Sequence, residues 1–71
     1  PEDMVALTND LISSAEQLKN AAGDFVGHVN GLEGAYDEDA ATDQVRAVSR
    51  GWFDYKNAHN AINTAIRDHI E

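Results

Sequence analysis

Residues 41–70 read ATDQVRAVSRGWFDYKNAHNAINTAIRDHI, a stretch that holds the only tryptophan of the chain and an unbroken seam of apolar positions. Ala41, Val45, Val48, Trp52, Tyr55, His59, Ile62, Ile66 and His69 succeed one another by alternating steps of four and three, the heptad spacing that lines up one face of a helix. A helix with such a stripe leaves it in water unless another helix covers it. The stretch therefore predicts a long helix over about 38–70 that packs on a partner helix.

The partner is found in the first half of the chain. Met4, Thr8, Leu11, Ala15, Leu18, Ala22, Phe25, Val29 and Leu32 repeat the same four-three alternation. Pro1, Glu2 and Asp3 place a ring-fixed residue and two carboxylates at its start, where the first turn tolerates proline and the helix dipole favours acids. Gly23, Gly27 and Gly31 fall four apart on the side opposite the seam. Each weakens a helix by roughly 1 kcal/mol relative to alanine; they either soften the last turns before a loop or let another helix approach. Gly31 or Gly34 is expected to supply the terminating conformation. Asp37, Glu38 and Asp39 then suit the start of the second helix.

These signals predict an all-α fold in one domain spanning residues 1–71: a helix over about 2–31, a turn over about 32–37 and a helix over about 38–70. So short a connection makes the helices antiparallel neighbours, a hairpin about 45 Å long at 1.5 Å per residue. Gly51 does not shift the heptad phase, so the second helix is expected to run through it unbroken. The predicted hairpin core is Leu11, Leu18 and Phe25 from the first helix with Val45, Val48, Trp52, Tyr55, Ile62 and Ile66 from the second. Gly51, Ala58 and Ala65 lie beside that seam at seven-residue intervals, a line of small residues that would let the backbones come close with Trp52 at the flank.

A core built from 71 residues supplies little stability; below roughly 70–80 residues it rarely exceeds about 3–5 kcal/mol. With no cysteine, disulfides are excluded, and oligomerisation is the favoured supplement. The apolar edge points the same way. Val5, Ile12 and Val26 lie beside the first seam at multiples of seven, wider than one antiparallel neighbour would cover. Phe53 projects from the flank of the second helix among Ser49, Arg50, Lys56 and Asn57. Val5, Ile12, Val26 and Phe53 are therefore the candidate partner interface, a surplus edge that could face a further helix.

Other function classes are poorly served. Thirteen acids against five bases give a net charge of −8, which repels phosphate backbones and anionic membrane surfaces and argues against nucleic-acid binding. No apolar run approaches the ~20 residues of a spanning helix, and no basic segment precedes an apolar one as in a cleavable signal. The chain opens on Pro1 and its helical pattern still runs at Glu71, as a trimmed sequence would. His28, His59 and His69 show no metal-ligand spacing and there is no thiol; no metal, cofactor or small-molecule substrate is expected. His59 and His69 stand on the seam, where burial together would make association pH-dependent. His28-Val29-Asn30-Gly31 lacks the lysine expected before the glycine in a histidine phosphotransfer helix, and the chain supplies two of the four helices of such a bundle. No nucleophile-base arrangement stands out, so the chain is not expected to be an enzyme.

With an Ala-rich, acidic, cysteine-free pair of heptad helices and the tryptophan-led Gly51-Trp52-Phe53-Asp54-Tyr55, the chain resembles the WXG100 family, the ESAT-6-like helical hairpins exported by type VII secretion systems. The likeness covers most of the 71 residues as a pattern. The family's signature is Trp-x-Gly at the interhelical turn, whereas Trp52-Phe53-Asp54 lacks the glycine and lies well inside the second helix. No Tyr-x-x-x-Asp/Glu export motif occurs, since Tyr36 is followed four later by Ala40 and Tyr55 by His59. The resemblance implies a homodimer or heterodimer forming a four-helix bundle, exported without a cleaved signal to the medium or the cell envelope, and no catalysis. Ser13-Ser14-Ala15-Glu16-Gln17-Leu18, continuing to Ala22, Phe25 and Val29, is also similar to the heptad stretches of bacterial chemoreceptor coiled coils, which implies a cytoplasmic signalling rod instead. A phage or structural assembly subunit would carry the same pattern.

Overall fold

The computed structural model describes residues 2–70. Helix α1 spans Glu2–Asn30, a 3₁₀ turn spans Gly31–Gly34, and helix α2 spans Glu38–Ile70. The two helices pack against each other as an antiparallel hairpin, and among the described residues there is no strand. The expected fold class and helix limits are met to within a residue, and α2 passes through Gly51 without a break. The role expected of Pro1 and of the Glu2 side chain lies outside the described residues.

The hairpin measures 57 × 17 × 11 Å with a radius of gyration of 16.4 Å, whereas a compact chain of this length would have about 11 Å. Two long helices side by side enclose no interior. Among the described residues only Gly51 is buried, and no hydrophobic side chain is.

The turn is organised by side chains that satisfy the loose ends of both helices. The Asp37 carboxylate accepts the Ala40 N–H at 2.8 Å, and its carbonyl accepts the Ala41 N–H at 3.0 Å, so Asp37 caps α2. At the other end of the turn, Gln44 Nε2 donates to the His28 carbonyl at 2.6 Å, satisfying one of the acceptors that a helix C-terminus leaves free. Gly31 makes room for that reach, since a methyl group there would collide with the Gln44 amide. The expected glycine terminator is not used: no glycine among the described residues has a positive φ. Helix α1 instead tightens into the 3₁₀ turn, in which the Ala35 N–H donates to the Leu32 carbonyl at 3.2 Å, and Ala35 then leaves in an extended conformation.

The contact line between the helices departs from the expected seam. In α1 it runs through the half-buried Leu7, Leu11, Ser14, Leu18, Ala21, Phe25 and His28. In α2 it runs through Ala41, Gln44, Val48, Gly51, Tyr55, Ala58, Ile62 and Ala65. Leu11, Leu18, Phe25, Val48, Tyr55 and Ile62 thus take their expected places. Val45, Trp52 and Ile66 do not; they remain 53%, 47% and 42% exposed. The cause is the line of small residues. A Cβ at Gly51 would stand only 3.3 Å from Phe25 Cα and 3.2 Å from His28 Cδ2, so the backbones close at Gly51, and the small half-buried Ala58 and Ala65 continue the contact line. The larger side chains one position later are turned to the side. Gly23 and Gly27, by contrast, face open space and mediate no close approach within the hairpin.

Candidate interaction face

Each contact line is flanked on both sides, and the flanks differ in chemistry. One residue beyond the contact line, α1 carries Thr8, Ala15, Ala22 and Val29, bordered by Val5, Ile12, Lys19 and Val26. The equivalent flank of α2 carries Val45, Trp52, His59 and Ile66, bordered by Ser49, Lys56, Asn63 and Ile70. On the opposite flank, Asp3, Asp10 and Asp24 of α1 meet Asp54 and Asp68 of α2. A step of one residue turns in the same sense about every right-handed helix viewed along its own direction. When two helices run antiparallel and face each other, those steps reach the same side of the pair. The apolar flanks of α1 and α2 therefore form one continuous face, and the acidic flanks form the other.

Side-chain geometry agrees with this placement. The Trp52 ring lies 5.5 Å from Phe25 across the hairpin, tilted at 51°. It also stacks on Tyr55 at 5.8 Å, which stacks in turn on His59 at 6.4 Å. These rings form an aromatic ladder along α2 at the edge of the contact line. Trp52, Tyr55, Lys56, His59 and Asn60 border an open cleft on the same face, and Met4, Val5, Thr8 and Asn9 border another near the free ends.

Val5, Ile12 and Val26 stand on this face, 61%, 59% and 53% exposed. Phe53 does not join them. One residue beyond Trp52, it turns to the outer side of α2, where the Lys56 ammonium lies 5.1 Å from its ring centroid. That contact accounts for an exposed phenylalanine without a partner. Sequence reasoning missed Val45, Trp52 and Ile66 as members of the exposed face by assigning them to the hairpin interior. The line Gly51, Ala58 and Ala65 had already pointed to Trp52 at the flank, and carried through to Val45 and Ile66 it places all three there.

The amount of exposed surface is the face's quantitative signature. A compact protein of 7.7 kDa exposes roughly 4,300 Å², whereas this hairpin exposes 5492 Å². The surplus of about 1,200 Å² exceeds the roughly 800 Å² that each partner buries in a standard specific interface. Among the described residues no group of three or more His, Cys, Asp or Glu side chains could hold a metal ion, and no helix is long and apolar enough to cross a membrane. His59 and His69 are both exposed and are not buried together, while His28 is half-buried against Gly51. The chain matches no protein-family model, no curated protein and no solved structure.

Proposed function

We propose that this protein acts by association: its apolar face docks on a second helical hairpin, its own copy or a homologous one, to complete a four-helix bundle, and it performs no catalysis. The observation that carries this reading is the continuous face running from Val5 and Ile12 through Trp52 to Val26 and Val45, exposed on a hairpin in which no large side chain among the described residues is buried. Water in contact with that face raises the free energy of the isolated hairpin, and a second hairpin would remove it at about 25 cal/mol per Å² of apolar area. The resemblance to ESAT-6-like hairpins supports the same architecture and adds export by a type VII secretion system to the medium or the cell envelope.

Light scattering coupled to size exclusion, on the chain alone and mixed with the product of its neighbouring gene, tests the association. A species of twice the hairpin mass that disappears in Ile12→Asp is expected. A single monodisperse monomer under both conditions contradicts the reading. Export is tested separately, by the loss of the protein from the medium when the producing cell lacks its type VII apparatus.

A further inference from the structure

The charges on the apolar face are confined to its middle. The register in which Gly51 lies against Phe25 advances one residue along α1 for each residue back along α2. Lys19, six before Phe25, therefore stands level with Asn57, six after Gly51, and beside Lys56. The two lysines stand at the two rims of the face at mid-length, with His59 and Ala15 between them; the Lys56 stem borders the cleft beside Trp52 while its ammonium turns outward over Phe53. Toward the turn the face is apolar through Val26, Val45 and Trp52, and toward the free ends through Ile12 and Ile66. Among the described residues the one ion pair is Arg46 with Asp43 at 3.7 Å, on other sides of α2. Among the described residues no carboxylate lies within ion-pair distance of either lysine.

Resting on the association reading, we propose that the face is built for a heterologous helical partner whose docking surface is apolar toward both ends and carries carboxylates at mid-length, and not for a second copy of this chain. Full overlap of two identical faces, in either direction along the long axis, brings middle against middle. Four lysine ammonium groups then crowd one band of the interface. Like charges set against each other at an interface are strongly unfavourable. A partner with aspartate or glutamate at that level meets the lysines with opposite charge and retains apolar cover at both ends. Asp3, Asp10, Asp24, Asp54 and Asp68 lie on the opposite face and leave the docking surface free of their repulsion.

The charge-reversed variant Lys19→Glu/Lys56→Glu presents the stated chemistry on the same scaffold, so the partner can be made from the protein itself. At low salt, with helicity of each chain checked by circular dichroism, an equimolar mixture of wild type and variant should form a mixed dimer at least about tenfold tighter than either chain alone. Ile12→Asp in both chains should abolish it, and the preference should shrink as salt rises from about 25 mM to about 500 mM with the screening length. A wild-type homodimer as tight as the mixture overturns the proposal while leaving association through the face standing. Absence of any dimer, mixed or single, overturns both. An interface that persists with Ile12→Asp overturns the assignment of the face.

Discussion

At Gly51, the one buried residue of α2, two opposing effects meet and their sizes decide the outcome. Glycine in a helix costs roughly 1 kcal/mol relative to alanine, yet here it allows α1 to approach so closely that a Cβ would sit 3.3 Å from Phe25 Cα, an atom of the neighbouring backbone. A β-branched side chain needs far more room than that gap provides. Gly51→Val is expected to lower stability by about 1–3 kcal/mol through overpacking. Gly23 and Gly27 lack such neighbours, so Gly23→Ala and Gly27→Ala should each raise it by up to about 1 kcal/mol. Thermal melts by circular dichroism separate the two cases, since 1 kcal/mol moves the midpoint by roughly 4–8 °C in a domain this small. Equal responses at Gly23 and Gly51 would remove the close approach from the account. Asp37 also has a defined part in the fold, because its carboxylate holds the first turn of α2. Asp37→Ala removes that cap on Ala40 and should cost about 1 kcal/mol in the same melt.

At the scale of the elements, helix limits were legible because they depend on local signals. Acids at Asp37–Asp39 and steady heptad phase on both sides leave few alternatives, although Gly31 and Gly34 mark the turn without ending α1 through a positive φ. Which edge of the stripe meets the other helix was less legible. An apolar stripe wider than one neighbour can cover has two edges, and Val45, Trp52 and Ile66 compete with Gln44, Gly51, Ala58 and Ala65 for the inner position. Large side chains gain more by burial, but small ones let the backbones come closer. The hairpin takes the second arrangement, so Trp52 becomes an edge residue, 47% exposed. A fully buried tryptophan lost to alanine typically costs about 3–5 kcal/mol. Trp52→Ala should instead cost the isolated hairpin only about 1–2 kcal/mol, chiefly its ring contacts with Phe25 and Tyr55. Urea unfolding of the monomer measures this, and a loss above about 3 kcal/mol would return Trp52 to the interior.

For the whole molecule, the same residue reports on whether the face is covered. A hairpin with an extent of 57 Å, a thickness of 11 Å and no buried hydrophobic side chain among the described residues has placed its largest apolar groups at a surface. Stability and association are then linked, since a partner that binds only the folded hairpin raises its apparent stability by mass action. Ile12→Asp and Val26→Asp change side chains that are more than half exposed, so each should alter the melt of the monomer by no more than about 0.5 kcal/mol. In the presence of a docking partner both should remove the partner-dependent gain in melting temperature. The blue shift of Trp52 emission expected when its cleft with Tyr55 and His59 loses water should vanish with them. A control is supplied by the opposite face: Asp24→Asn or Asp54→Asn should leave the emission shift in place. If the aspartate substitutions on the apolar face are silent and those on the acidic face abolish binding, the two faces have exchanged roles. The surplus exposed area would then have to be explained by a partner on the other side of the hairpin.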